Sequence, residues 1–165
     1  MRRVGGLLVR AEQSGANAVL VTCSSIGECV DHAGAFVSIP VRRIDAPMAA
    51  SAVRRGGPIA VAATLQSTLN PTVALLRNEA QRRGKRPRIK IALFDKAFQA
   101  LSHGDLNHHD QIVQNGLLRL TAQCSTLVLA QASMARVAAS LDIPADVKVL
   151  VSPESGVAQM KRLMA

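Results

Sequence analysis

The sequence predicts an α/β protein built on parallel sheets, and three observations predict it. Short runs rich in Val, Ile and Leu recur between amphipathic stretches, the alternation expected of βα units. Glycine and proline punctuate the chain where such units should change over, most clearly at Gly56-Gly57-Pro58. A strand followed by a polar loop occurs twice, at Thr22-Cys23-Ser24-Ser25 and at Thr64-Leu65-Gln66-Ser67-Thr68, which suggests two similar halves.

Taken in order, the strands are expected at Ala18 to Thr22, Pro40 to Ile44, Ile59 to Ala63, Ile89 to Leu93, Thr126 to Ala130 and Val147 to Val151. A leading helix runs through Leu7 to Ser14, its pattern reaching back to Met1, and a second spans Ala46 to Arg55. Pro71 fits the first turn of a third helix, to Arg83, where its missing N–H costs nothing. Further helices are expected over His109 to Ala122, Met134 to Leu141 and Glu154 to Met164. A helix ahead of the first strand is unusual, because a helix beside a parallel sheet normally follows a strand of its own, so a leading strand is expected upstream.

Composition narrows the function classes. At 165 residues and 48% hydrophobic, with no apolar run near the roughly 20 residues a membrane span requires, the chain reads as a soluble domain without a membrane partner. The apolar stretch behind Arg2 and Arg3 is broken by Arg10 and Glu12, so no signal-peptide core is present and the expected location is cytoplasmic. Cys23, Cys29 and Cys124 are an odd set without CxxC spacing, hence thiols and not a disulfide frame or a structural zinc site. A formal charge of +9 permits contact with nucleic acid, but the basic residues are scattered apart from Arg82 to Arg88, and aromatics for base stacking are lacking. That cluster reads as a solvated loop, and nucleic acid is not an expected partner.

Chemistry should concentrate where strands end, since ligands of open α/β sheets sit there against helix N-termini. Cys23 falls just beyond the first strand, and two readings stand for it: a thiolate favoured by the following helix, flanked by Thr22, Ser24 and Ser25, or a buried structural cysteine. Thr64, Ser67 and Thr68 could hold an anion, or Ser67, Thr68 or Asn70 could simply cap a helix. Gln131 and Ser133 come to the same rim from Leu129-Ala130-Gln131-Ala132-Ser133-Met134-Ala135, with Ser133 as a cap the alternative. His103 to Asp110 is dense in titratable groups, so His108, His109 or Asp110 could act as acid or base, although Asp105 or Asn107 capping a helix accounts for much of that composition. Metal binding is disfavoured there, because adjacent histidines point apart on a helix or a strand.

Together these segments resemble the aspartate/glutamate/hydantoin racemase superfamily, in its branch with TCSS and LAQASMA loops. The resemblance rests on Val21 to Ser25, Arg43 to Ala49, Ala63 to Thr72, Leu129 to Ala135 and Ser152-Pro153-Glu154, in that order along nearly the whole chain. It implies two pseudo-symmetric Rossmann-like lobes, residues 1–56 with about 146–165 and residues 57–145, the first lacking its leading βα portion. It also implies a cofactor-independent isomerase of racemase type, acting at the carbon α to a carboxylate of a small-molecule substrate, in an assembly that is commonly oligomeric.

Racemases of this kind use two cysteines, one on each face of the α-carbon. Cys23 matches the first, whereas Gln131 stands at the second position and cannot exchange a proton. Cys29 lies on the lobe of Cys23, and Cys124 precedes its strand, so neither replaces the missing thiol. By the family pattern Ser24, Ser25, Thr64, Ser67 and Thr68 hold substrate oxygens. The departures leave two alternatives: a single-cysteine decarboxylase or cis-trans isomerase of small dicarboxylic acids, or a carboxylate-binding chain without catalysis.

Overall fold

A computed structural model describes residues 2–165. Among the described residues six parallel strands form two sheets, as the apolar runs predict. The smaller pairs β1 (Val19–Val21) with β2 (Val41–Arg43), Val19 opposite Val41. The larger contains β3 (Ile59–Ala63), β4 (Ile89–Leu93), β5 (Thr126–Leu129) and β6 (Lys148–Leu150) in the order β4-β3-β5-β6. The chain is thus a two-lobed α/β protein with parallel sheets.

The central strands β3 and β5 are buried along their whole length, which is why their sequences carry no polar alternation. Successive side chains point to opposite faces. Ile59, Val61, Ala63 and Val128 therefore pack on one side against Met48, Val53, Leu69 and Leu76. These come from helices α3 (Ala46–Arg55) and α4 (Gln66–Arg82). Ala60, Ala62, Leu127 and Leu129 pack on the other side against Val113, Leu117 and Met134. That second layer is made by α5 (Asp95–Ser102), α6 (Leu106–Thr121) and α7 (Met134–Ala139). Each fully buried Leu or Val contributes about 1.5–3 kcal/mol relative to exposure, so these two layers carry most of the driving force.

The smaller lobe carries α1 (Arg2–Gln13) and α2 (Gly27–Ala33), which pack against each other. Its strand β1 is half-buried, not sealed as its apolar sequence suggests, because its sheet has only two strands. The last helix, α8 (Ser152–Met164), packs on α3. Gly156 makes that docking possible: a side chain there would overlap the backbone of Ile44.

Three expectations need correction. Residues 148–150, expected with the first lobe, are hydrogen-bonded to β5 in the second sheet, with Thr126 opposite Lys148. The helix after them packs on α3 of the first half. Pro71 does not open its helix, since α4 starts at Gln66 and encloses it. The proline is tolerated so near the start because the one bond it forfeits is to the carbonyl of Ser67. Helix α5 is not foreseen by the sequence pattern, and α2, expected after Cys23, is given no bounds by it, each being short with only two or three buried positions to reveal its period.

The basic turn at 82–88 is exposed, apart from half-buried Pro87, and one of its members has a structural task. Lys85 Nζ donates to the carbonyls of Val53 and Arg54 at 3.0 and 2.9 Å, closing the C-terminus of α3. No helix of the described residues is long and apolar enough to cross a membrane.

Candidate functional site

Parallel strands bring their C-terminal ends to one rim, so the loops after Ala63 and Leu129 are neighbours there. The contact between them is direct. Gln131 Oε1 accepts from the backbone N–H of Thr64 at 2.6 Å and from the Thr64 hydroxyl at 3.0 Å. Thr64 is buried, so this amide oxygen satisfies a donor pair that would otherwise be stranded. Gln131 joins the two loops, and the Thr64 donors face it.

The loop after β3 differs from a capped helix start. Leu65 occupies the N-cap of α4 and offers no oxygen, while Ser67 and Thr68 lie inside the first turn. Among the described residues, the backbone N–H groups of Gln66 and Ser67 have no hydrogen-bond partner, and the first bond of the turn is Thr68 N to Leu65 O at 3.2 Å. Asn70 does not cap either; its side chain pairs with Gln66. Two free amides and the exposed Ser67 hydroxyl thus stand at the positive end of a 17-residue helix, an arrangement suited to a carboxylate.

Cys23 follows β1 and is exposed, so the buried structural reading fails. It precedes a single 3-10 turn, Ser24–Ile26, and α2 begins only at Gly27. The helix is therefore a turn further from the sulfur than the sequence suggests. Thr22 and Ser25 are exposed and Ser24 is half-buried. The 3-10 turn packs against α4, the helix that follows the Thr64 loop. Cys29 lies within α2, on the same lobe. Cys124 is buried at the start of β5, at the opposite edge, and burial pushes its thiol pKa up despite hydrogen bonds with the backbone of Ala60 and Thr126.

Below the Cys23 loop lies an ion-pair cluster. Arg43 donates from Nε and Nη2 to both oxygens of Asp45 at 2.9 and 3.0 Å, and from Nη1 to Asp31 at 2.9 Å. Burial opposes the charge of Arg43, but the two carboxylates outweigh it and raise its pKa. Gly27 belongs to this unit, since any side chain there would overlap the guanidinium. The first turn of α2 is thereby seated on β2, fixing the direction in which the Cys23 loop leaves the sheet.

On the α5–α7 side of the rim, Asp105 caps α6 by accepting from His108 N at 2.9 Å, which leaves His109 and Asp110 just inside the helix. His109 is 3% exposed, and its Nδ1 lies 2.8 Å from Asp110 Oδ1. Arg136 of α7 holds both oxygens of Asp110 at 2.8 Å. The hydrogen bonds from Arg136 and then His109 lower the Asp110 pKa, so this carboxyl stays ionised and serves as an acceptor, not an acid. Ser133 stands at the N-cap of α7, exposed and without a capping bond. No group of three or more His, Cys, Asp or Glu side chains is placed to hold a metal ion among the described residues.

Sequence reasoning missed Arg136 and the Arg43–Asp45 pair. Arg136 follows directly on the LAQASMA stretch, yet its partner is 26 residues away, and nothing local signals the pairing. Arg43 and Asp45 stood within a matched segment, but their burial is visible only in three dimensions.

A sequence profile described as Asp/Glu/Hydantoin racemase matches residues 2–160. The chain belongs to the Asp/Glu/hydantoin racemase family. Its fold is similar to that of a glutamate racemase isoform from Bacillus anthracis (TM-score 0.72, 16% identity, 99% of this chain and 64% of that one). It is likewise similar to the glutamate racemase of Francisella tularensis in complex with D-glutamate (0.72, 14%, 97% and 60%). An aspartate racemase homologue from Pyrococcus horikoshii shares the fold too (0.70, 14%, 98% and 73%). The chain thus spans less than two thirds of the two glutamate racemases. No curated protein sequence matches it.

Proposed function

We propose that this chain is a cofactor-independent isomerase of amino-acid racemase type, acting at the carbon α to a carboxylate, with Cys23 as acid/base. The carrying observation is the exposed Cys23 sulfur on a loop that packs against α4, whose first-turn amides are uncapped. A carboxylate seated on the free N–H groups of Gln66 and Ser67 would offer its α-carbon to a thiolate across the rim. Ser24, Ser25, Ser67 and Thr68 supply hydroxyls for the remaining oxygens, and Ser133 approaches from the third loop. Thr22 adds a further hydroxyl beside Cys23, and Thr64 ties the second loop to the third through Gln131. Family membership supports the reaction class, and the bound D-glutamate of the Francisella neighbour suggests a small amino dicarboxylate. Residues 1–56 with α8 on one side and 57–145 on the other form the cleft, in the cytoplasm, without cofactor or metal and with self-association as a further expectation.

One observation favours a second reading. Gln131 is engaged by Thr64, and its amide is neither acid nor base near neutral pH, which suits a single-thiol decarboxylase or cis-trans isomerase of dicarboxylic acids. Proton NMR in D2O separates these readings, with D- and L-glutamate, D- and L-aspartate, maleate and a 2-substituted malonate as probes. Loss of the α-proton signal from the amino acids supports the racemase reading, product formation from the diacids alone supports the second, and turnover undiminished in Cys23→Ala refutes both. Calorimetric binding of the probes without turnover would reduce the chain to a carboxylate-binding protein.

A further inference from the structure

A racemase needs a proton carrier on each face of the α-carbon, and Gln131 cannot be the second. Three observations point to where that carrier stands. The sheet separates the helices into two layers: α4, with the Cys23 loop packed on it, covers one face, while α5, α6 and α7 cover the other. Helix α6 ends five residues before β5 begins, at the edge where strands start. Its 16 residues extend about 24 Å, so its first turn, with His109, returns to the rim where Thr64 and Gln131 meet. Finally, Arg136 belongs to α7, which follows directly on the Gln131 loop and packs on α6.

We propose that His109 is the second acid/base of the site, on the face of the substrate opposite Cys23, with Asp110 and Arg136 as its positioning residues; this rests on the racemase reading above. Asp110 is held ionised by the two-pronged contact with Arg136, so it can only accept, and the proton between it and His109 belongs to Nδ1. That leaves the Nε2 lone pair as the base. Among the described residues Nε2 has no hydrogen-bond partner, and it is not one of the sealed, unpartnered polar atoms, which are Thr126 Oγ1 and Gln159 Oε1. The small exposed part of an otherwise buried ring therefore includes the reactive nitrogen.

The proton balance closes with no other reactant. In one direction the Cys23 thiolate takes the α-proton, the C–H electron pair stays on carbon and spreads into the carboxylate, and Nε2–H of the His109 imidazolium delivers a proton to the opposite face. Thiolate and imidazolium become thiol and imidazole. In the other direction neutral Nε2 abstracts and the thiol donates. Asp110 compensates the imidazolium charge in the first state and holds the ring in register in both.

The test uses the full chain with D- and L-glutamate and D- and L-aspartate in D2O. In His109→Gln, racemisation is expected to fall at least 1000-fold while one enantiomer still exchanges its α-proton; in Cys23→Ala the opposite enantiomer should retain exchange. His108→Gln, at an exposed neighbour, should behave as wild type. Racemisation by His109→Gln within a few-fold of wild type, or equal loss of exchange for both enantiomers, overturns the assignment. Nitrogen-15 NMR of the ring is independent of turnover. It should show Nδ1 protonated and Nε2 bare in the wild type, with the tautomer reversed in Asp110→Asn. An Nε2–H tautomer in the wild type defeats the proposal even if racemase activity is found. Absence of exchange by the wild type alongside the expected tautomer condemns the racemase reading, and with it the role of His109.

Discussion

Gln131 Oε1 lies 2.6 Å from the backbone nitrogen of Thr64 and 3.0 Å from its hydroxyl, so one amide oxygen ties the loop after β5 to the loop after β3. Both donors sit at the buried end of a central strand. Replacing the acceptor leaves them facing a gap, and an unsatisfied buried donor costs about 1–3 kcal/mol.

Gln131→Leu is therefore expected to lose stability in that range. Gln131→Glu, which keeps an oxygen at the same reach, should lose less. Urea unfolding midpoints compare the two. Equal losses would mean that side-chain packing and not the hydrogen bonds holds the loops together.

The Arg43 cluster should respond more severely. Asp45 is 1% exposed and supplies two of the three hydrogen bonds to a guanidinium that is itself buried. Asp45→Asn leaves that charge without its main partner, at an expected cost of about 3 kcal/mol or more. Arg43→Met together with Asp45→Leu removes both charges and should recover most of the loss. Denaturant titration of the single and double variants checks it, and a double variant no better than the single would refute the electrostatic account.

The three cysteines should alkylate in the order of their exposure. Cys23 is exposed, Cys29 intermediate and Cys124 buried, with its thiol pKa raised by desolvation. Iodoacetamide at pH 8 followed by peptide mass mapping should label Cys23 first and Cys124 only after denaturation. Early modification of Cys124 would mean that the start of β5 opens readily.

Acid dependence follows from Asp110. Its folded-state pKa is depressed, by Arg136 first and His109 second. The group thus stabilises the fold fully above its unfolded value, and this contribution is lost as pH falls through the folded one. The stability gap between wild type and Arg136→Leu should be constant from neutral pH down to about pH 5 and shrink below about pH 4. Denaturation curves across that range measure it; a gap that widened on acidification would contradict the sign.

What could be read from the chain alone was whatever local sequence records. The burial of β3 shows in Ile59-Ala60-Val61-Ala62-Ala63, since a strand covered on both faces favours an unbroken apolar run. The strand-end positions of Cys23, Thr64 and Gln131 follow from where those runs stop. Pro71 misled because a preference for the first turn yields when the forfeited bond lies so near the helix start. Relationships between distant residues had no such record. That Gln131 reaches Thr64, 67 residues away, and that Arg136 grips Asp110, 26 residues away, is decided by which strands are neighbours and which helices share a face. Local pattern reports how a residue's own backbone is folded and how deeply it is covered. The identity of its partner is fixed only when the sheet order closes, because many side chains could satisfy the same donor and only packing selects one.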